Sequence, residues 1–268
     1  MYHPTTLLGI PFDANSSFVL GASKGPAALR AALHNGSANF TNQNGLDLSI
    51  VNFWSDSGDL HFPSDDPEQA FHTIKNSASQ LLDNGQRLIS IGGDHSITYP
   101  LVAAYAKKYP NLHLLQIDAH SDLYDDFEGN PYSHASPFAR IMERGLAQSL
   151  TQIGVRTLTA HQRAQADRFG VRIIEMKDFD VQDTLELEGP LYISIDLDGF
   201  DPAYAPGVAH YEPGGLTVRE VLTLLDRIKV PIVGADIMEL NPARDHQGMT
   251  AMLSAKLAKE LIEMVGKA

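Results

Sequence analysis

Histidine and aspartate residues are concentrated in three short segments of the sequence. The segments are Gly92-Gly93-Asp94-His95-Ser96, Asp118-Ala119-His120-Ser121-Asp122 and Asp196-Leu197-Asp198-Gly199-Phe200-Asp201. Carboxylates that converge in a partly dry crevice repel one another and take up protons unless a cation lies among them. Imidazole nitrogens and carboxylate oxygens are also ligands that divalent transition metals accept. The three segments together therefore predict a metal site.

The spacing inside these segments indicates that the site holds two neighbouring ions. Alternate residues of extended backbone point to the same side, so Asp118, His120 and Asp122 face one region; Asp196 and Asp198 repeat this spacing. The sequence contains no cysteine, so every protein ligand must be nitrogen or oxygen. Each segment alone has a simpler explanation, as a helix cap, a solvated turn or a tight turn. The prediction depends on their occurring together.

Eight short apolar, β-branched segments alternate with segments of helical period along the chain. The predicted strands are Thr5–Ile10, Leu48–Trp54, Arg87–Gly92, Leu112–Ile117, Thr151–Val155, Val171–Glu175, Leu191–Asp196 and Val230–Ala235. Several are close to continuously apolar, as expected of strands that helices cover on both faces. We therefore predict one α/β domain over residues 1–268, a three-layer α/β/α sandwich around a central eight-stranded, mostly parallel sheet.

The intervening segments predict seven helices. They are Pro26–His34, Pro67–Asn84, Ile97–Lys108, Pro137–Arg144, Ala160–Phe169, Val218–Ile228 and Met249–Val265. The three segments rich in histidine and aspartate directly follow the third, fourth and seventh strands. Ligands of open α/β sheets collect beyond the carboxyl ends of the strands, so the predicted fold brings these segments together.

The charge of the chain restricts its partners. Lys and Arg number 20 against 33 Asp and Glu, a formal net charge of −13, which opposes binding to nucleic acid or to anionic membrane surfaces and favours cationic or neutral ligands. No apolar run approaches the roughly 18 residues of a spanning helix, and the first residues carry no basic targeting segment. A cytoplasmic location is therefore the expectation.

Three motifs, GGDHS, DAHSD and SIDLDGFDPAYAPG, resemble the metal-binding signatures of the arginase/agmatinase (ureohydrolase) family. The resemblance runs from about Gly9 to the C-terminal helix and includes Pro213-Gly214-Gly215-Leu216-Thr217 and Glu239-Leu240-Asn241-Pro242. It implies an enzyme that hydrolyses a guanidino compound to urea and an amine with two divalent metal ions, usually manganese. It also implies a homo-oligomer, since the family commonly forms trimers or hexamers.

The resemblance assigns the metal ligands residue by residue. It implies that two of them, Asp118 and Asp196, bridge both ions. The first ion would also be bound by His95 and Asp122, and the second by His120 and Asp198.

The resemblance also implies three catalytic roles. Asp122 would pass on the proton lost by the attacking water, and His134 would exchange protons with the product amine or the solvent. Glu239 would receive the guanidinium of the substrate, because a carboxylate pairs well with that planar cation. Asp94 and Asp201 resemble residues that orient the ligands. The other histidines are interpreted as surface or packing residues: His61, His72, His113, His161, His210 and His246.

The segment 123–133 predicts the choice of substrate. It carries three carboxylates, which favour a free amine at the end of the substrate, so agmatine hydrolysed to putrescine is the first expectation. Asn130 and Ser133 are candidate counterparts of the polar groups by which arginases bind an α-carboxylate. Arginase, guanidinobutyrase and formimidoylglutamase activities stay open, and Ala135 stands where many family members have glycine.

Two other kinds of protein are compatible with parts of the pattern. Zinc-dependent deacetylases of a related fold hydrolyse amides with one metal, but their site lacks the full set of ligands for a second ion, whereas His120 and Asp198 are both present here. A non-catalytic relative would act as a binding or structural subunit. The complete ligand set, His134 and Glu239 argue against it.

Overall fold

The computed structural model describes residues 2–183 and 185–267, and it contains eight strands. The strands are β1 (Thr5–Gly9), β2 (Trp54–Asp59), β3 (Arg87–Ile91), β4 (His113–Ile117), β5 (Ser149–Ile153), β6 (Arg172–Ile174), β7 (Leu191–Asp196) and β8 (Ile232–Met238). They form one sheet in the order β2-β1-β3-β8-β7-β4-β5-β6, and all the pairings between these strands are parallel. The predicted α/β fold class is confirmed.

Seven α-helices cover the two faces of the sheet. They are α1 (Gly25–His34), α2 (Pro67–Asp83), α3 (Thr98–Lys108), α4 (Pro137–Glu143), α5 (Ala160–Phe169), α6 (Val218–Arg227) and α7 (Met249–Lys267). Buried side chains of α1, α6 and α7 form one hydrophobic cluster with the sheet, and those of α2 to α5 form the other. In β7, Ile193 packs into the first cluster and its neighbour Tyr192 into the second. Burial on both faces explains the nearly unbroken apolar strands.

Two helices begin with the same reciprocal hydrogen-bonding pattern. The Thr159 hydroxyl accepts from the Gln162 backbone N–H, and the Gln162 side chain accepts from the Thr159 N–H; Thr217 and Glu220 repeat this capping box at α6. Such a box satisfies backbone donors that a helix leaves unpaired in its first turn. The first turns of α5 and α6 are therefore held firmly.

The predicted second strand was wrong in position. The sequence favours Leu48–Trp54, whereas β2 begins only at Trp54 and runs through polar residues to Asp59. β2 lies at the edge of the sheet and is half-exposed, so it carries no apolar pattern. The apolar segment before it instead packs Leu48 into the hydrophobic core from a loop. The eighth strand also lies later than predicted, and ends immediately before Glu239.

The carboxyl ends of the four central strands lie at the same edge of the sheet. They are β3, β8, β7 and β4, adjacent in that order. Their last residues and the residues that follow them include all six predicted metal ligands and Glu239. No helix in the described part of the chain is long and apolar enough to cross a membrane.

Replacement of Ile193 by alanine tests the two-sided burial of β7. Ile193 is fully buried, and Ile→Ala in a core costs about 2–5 kcal/mol of unfolding free energy. Ile50, which is 80% exposed, supplies the control: Ile50→Ala should change the unfolding free energy by less than about 0.5 kcal/mol. Chemical denaturation measures both variants, and equal effects would contradict the packing described here.

Candidate metal centre

His95 lies at the centre of a cluster of three buried carboxylates. Its Nδ1 is 3.1 Å from Asp118 Oδ2, 3.2 Å from Asp122 Oδ2 and 3.0 Å from Asp196 Oδ2. His95 belongs to a single turn of 3-10 helix that follows β3, Asp118 and Asp122 follow β4, and Asp196 is the last residue of β7. His95, Asp118 and Asp122 form a group whose ligand atoms could hold one metal ion.

A second cluster adjoins the first and shares Asp118 with it. His120 Nδ1 is 3.1 Å from Asp198 Oδ2 and 3.5 Å from Asp118 Oδ1, and these three residues could also hold a metal ion. The structure therefore brings all six predicted ligands together. Asp196 takes part through Oδ2 beside His95, while its Oδ1 accepts a hydrogen bond of 2.8 Å from the Asp198 N–H.

The geometry around His95 fits a metal ion. Within residues 2–183 and 185–267, the buried His95 Nδ1 has no hydrogen-bond partner, although three carboxylate oxygens surround it. Ligand atoms that bind one ion at about 2.1 Å and at right angles lie about 3 Å from one another, which matches these separations. The donor set of imidazoles and carboxylates suits Mn²⁺ and related divalent ions.

The electrostatics of the cluster also call for positive charge. Burial raises the pKa of Asp122 to about 6, and the charge of Asp118 adds to the effect. Burial and the charges of Asp198 and Asp118 raise the pKa of Asp196 well above its usual range. Burial lowers the pKa of His95, but the surrounding carboxylates outweigh it and raise the pKa well above its usual range. Divalent cations would relieve this repulsion.

A chain of hydrogen bonds behind His95 fixes its orientation. His95 Nε2 lies 2.9 Å from Ser194 Oγ, and the Ser194 hydroxyl donates to Asp236 Oδ1 at 2.6 Å. Asp236 also accepts from Tyr192 and Thr98, at 2.8 and 2.9 Å. Since the Ser194 proton is committed to Asp236, His95 Nε2 must be the donor to Ser194. The lone pair of Nδ1 then faces the carboxylates, as a metal ligand requires.

Gln116 positions Asp118 in a similar way. Its amide donates to Asp118 Oδ2 at 2.7 Å, and its own oxygen accepts from Gln152 at 2.5 Å. The sequence analysis missed Gln116 and Ser194. Each lies two residues before a predicted ligand on the same strand, and that spacing places both side chains on one face of the sheet. A search for polar residues at this spacing would have found them.

His134 and Glu239 form a buried pair beside the clusters. His134 Nδ1 lies 2.9 Å from Glu239 Oε1, and Glu239 Oε1 also accepts from the His95 N–H at 3.0 Å. On its other side, His134 Nε2 lies 2.8 Å from Ser17 Oγ. Burial lowers the pKa of His134, but Glu239 outweighs it and raises the pKa to about 9. Glu239 Oε2 is buried and has no hydrogen-bond partner among the residues that the structure describes.

Two of the predicted catalytic residues have unusual backbone conformations. Asp122 has φ 49° and Glu239 has φ 67°, in the left-handed region that residues with side chains seldom adopt. Such conformations cost free energy and are concentrated at functional sites, where the surrounding structure enforces them. This observation points to both residues independently of their motifs.

Asp94 and Asp201 organise loops. Asp94 accepts hydrogen bonds from the Asn15 and Ser96 N–H groups and thereby holds the turn that carries His95. Asp201 accepts from the backbone of Ala203, Gly214 and Gly215.

Arg156 holds the loop after β7 without using a carboxylate. Its guanidinium donates only to backbone carbonyl oxygens among the described residues, at 2.7 to 3.2 Å. The carbonyls belong to Gly154, Asp198, Gly199, Phe200 and Glu212. This clamp fixes the backbone on either side of Asp198.

The clusters open into a cavity of about 180 Å³, smaller than the 300–1,000 Å³ typical of drug-sized ligands. Besides Glu239 and residues of the two clusters, its lining includes Ser17, Tyr124, Phe127, His134, Ala135, Thr157, Thr159, Gln162 and His210. His210 was predicted to be a surface or packing residue, but its ring lies 5.4 Å from that of His134 and 5.8 Å from that of His120. Its placement results from the course of the loop after β7, which the local sequence does not reveal.

The carboxylates of segment 123–133 do not line this cavity. Asp125 pairs with His161 at 3.0 Å, and Asp126 accepts from the Gly129 N–H at 2.6 Å. The segment contributes Tyr124 and Phe127 to the cavity instead. The expectation that three carboxylates surround the end of the substrate is therefore wrong.

A larger cavity, of about 440 Å³, lies between α6 and the segment that precedes β7. Its described lining is mostly aliphatic and contains no histidine. Of these two cavities, the smaller one therefore holds the histidines and carboxylates predicted for the site.

Replacement of Ser194 by alanine tests the hydrogen-bond chain behind His95. Loss of a group that orients a metal ligand weakens metal binding by about 10- to 100-fold, so Ser194→Ala should weaken manganese affinity by that factor. Ser90 is the matched control, because it is a fully buried serine of β3 whose hydroxyl has no hydrogen-bond partner among the described residues. Competition with a metal-binding dye measures both affinities. If Ser194→Ala and Ser90→Ala bind manganese with equal affinity, Ser194 does not orient His95 for metal binding.

Comparisons with known proteins agree with this geometry. The chain is 43% identical to "Arginase 1, mitochondrial" of Arabidopsis thaliana, over 98% of its own length and 81% of that protein. It is 32% identical to an agmatinase of Bacillus anthracis, over 96% of its own length and 90% of that protein. The solved structure of an arginase from Medicago truncatula superposes with a TM-score of 0.91 at 38% identity, covering 97% of this chain and 87% of that one.

A sequence profile of the "Arginase family" matches residues 3–263. The predicted enzyme class, a hydrolase acting on the C–N bonds of linear amidines, is confirmed by these similarities. With a family match over nearly its whole length and relatives well above 30% identity, the chain belongs to the arginase family.

Proposed function

We propose that this protein hydrolyses L-arginine to L-ornithine and urea, with two manganese ions at the centre described above. One ion would be bound by His95, Asp118, Asp122 and Asp196, and the other by Asp118, His120, Asp196 and Asp198. Two such ions supply a water molecule that is acidic enough to act as a nucleophile at neutral pH.

Recognition of the guanidinium rests on one observation, the unpaired oxygen of Glu239. Glu239 Oε1 accepts from His134 and from the His95 N–H, whereas Oε2 is buried without a partner. A buried carboxylate oxygen without a donor is costly, and a guanidinium supplies planar N–H donors that suit it. Glu239 would therefore bind the substrate cation and hold its central carbon next to the carboxylate clusters.

His134 and Asp122 would handle the protons of the reaction. Asp122 lies at the carboxylate cluster and lines the cavity, so it can accept the proton that water loses on attack. His134 is held between Glu239 and Ser17, and it lines the cavity where the amine must leave. An imidazole in this place can protonate the leaving amine, which departs as a neutral molecule.

The outer wall of the cavity supports arginine rather than agmatine. It is formed by uncharged side chains, among them Tyr124, Thr157 and Gln162. An amino-acid tail has an ammonium and a carboxylate, which neutral donors and acceptors can satisfy together. The agmatine tail carries only an ammonium, which needs a carboxylate partner. The carboxylates that line the cavity belong to the metal clusters and Glu239, so none of them lies at the outer wall to bind that ammonium. The greater identity to the Arabidopsis arginase than to the Bacillus agmatinase also supports arginine.

A product assay on the manganese-loaded protein tests the choice of substrate. Arginine, agmatine, 4-guanidinobutyrate and formiminoglutamate are supplied separately, and urea or formamide is measured for each. We expect the highest kcat/KM for arginine, because its tail alone has both charges next to the neutral wall. A higher kcat/KM for agmatine would overturn the proposed substrate while leaving the family intact.

Replacement of Glu239 by glutamine tests the guanidinium site. The amide keeps the shape of the carboxylate but removes its charge, so KM for arginine should rise by about 10- to 100-fold, the value of a hydrogen bond between charged groups. Manganese content, measured by elemental analysis, should stay at the wild-type level. Glu212→Gln, outside the cavity lining, is the control and should leave KM unchanged. Loss of manganese from Glu239→Gln would place Glu239 at the metal instead.

A further inference from the structure

The side-chain amide of Gln162 is held in one orientation by the capping box of α5. Its oxygen accepts from the Thr159 N–H at 3.0 Å and from the Thr159 hydroxyl at 3.1 Å. Both contacts require an acceptor, so the NH₂ group of the amide cannot occupy that position. The NH₂ group is therefore directed away from the cap, and its two donors stay available.

These donors lie at the outer wall of the cavity. Gln162 is only 4% exposed and lines the cavity with Thr157 and Tyr124. Within the described part of the chain, no hydrogen-bond acceptor is found for the Gln162 amide nitrogen. A donor of a cavity-lining residue that has no acceptor among the described residues is satisfied by water or by a ligand.

The surroundings of Gln162 favour an anionic ligand group. Gln162 belongs to the first turn of α5, a helix of ten residues, and the N-terminus of a helix attracts negative charge. The first turn of α5 contains no Asp or Glu, whereas that of α6 contains Glu220. The Asp125 carboxylate lies beside this turn, but it is paired with His161 and does not line the cavity. A carboxylate of the substrate can therefore approach Gln162 from the cavity side.

We propose that the Gln162 amide donates a hydrogen bond to the α-carboxylate of arginine and thereby sets the preference for arginine over agmatine. The inference rests on the proposed function, and it assigns one residue to the selection of the tail. Agmatine has no carboxylate, so it leaves the Gln162 donors without a charged acceptor. Gln162 acts on specificity and takes no part in the hydrolytic step.

Replacement of Gln162 by glutamate tests this proposal with little disturbance of the fold. The capping box at α6 already uses the same pattern with glutamate, so Glu at position 162 can keep the cap of α5. Its second oxygen would take the place of the NH₂ group and would repel a carboxylate. We expect the ratio of kcat/KM for arginine to kcat/KM for agmatine to fall by about 100-fold or more, since a charge-assisted hydrogen bond is replaced by repulsion.

The reverse exchange in the other capping box is the matched control. Glu220→Gln alters the same pattern at α6, outside the cavity, and should leave the ratio of the two substrates unchanged. The midpoint of thermal unfolding and the manganese content of both variants show whether either exchange disturbs the fold or the metal centre. A structural effect would lower kcat/KM for both substrates alike and would leave the ratio constant.

Product binding gives a readout that does not depend on turnover. Calorimetry with L-ornithine and with putrescine should show that Gln162→Glu weakens ornithine binding and strengthens putrescine binding. The change in the substrate ratio on substitution tests the role of Gln162, whereas the ratio in the unaltered protein tests the proposed function. A ratio that changes by less than about threefold in Gln162→Glu would overturn the proposal, whichever substrate the unaltered protein prefers.

Discussion

The repulsion among buried carboxylates is the constraint on which the rest of this structure depends. Asp118, Asp122, Asp196 and Asp198 converge at a place from which water is largely excluded, and their charges cannot be accommodated there without cations. Only a rigid frame can hold like charges together in this way. The frame is the centre of the parallel sheet, where β7 and β8 are covered by helices on both faces and each strand is supported by two neighbours.

Polar residues inside the apolar strands connect this frame to the site. Three such residues are fully or almost fully buried: Gln116, Ser194 and Asp236. Each forms hydrogen bonds with a predicted metal ligand or with another residue of the hydrogen-bonded network that supports it. A buried polar network of this kind is stabilising only when its members are satisfied together. The orientation of His95 and Asp118 is therefore set before any ion binds, which reduces the cost of assembling the centre.

Much of the fold and the site could be predicted from the sequence, and the exceptions have physical causes. The six candidate ligand residues could be predicted to lie together because their motifs stand at the ends of strands whose apolar pattern is strong. β2 was misplaced because an edge strand with exposed residues has no such pattern. The acidic segment was misinterpreted because Asp125 pairs with His161, a partner 36 residues away that no local rule identifies. His210 in a loop and Gln162 in the first turn of α5 reach the cavity only through the tertiary fold.

Arg156 shows how the protein keeps two guanidinium groups apart. Its own guanidinium is surrounded by the carbonyl oxygens of five residues, whereas the substrate guanidinium would meet the carboxylate of Glu239. Carbonyl dipoles bind a cation but carry no net charge. The carbonyl groups around Arg156 therefore add nothing to the negative charge of the carboxylate clusters, which the metal ions must balance. The molecule thus contains the chemical group that its family hydrolyses, held by backbone carbonyl oxygens and not by the carboxylates of the metal centre.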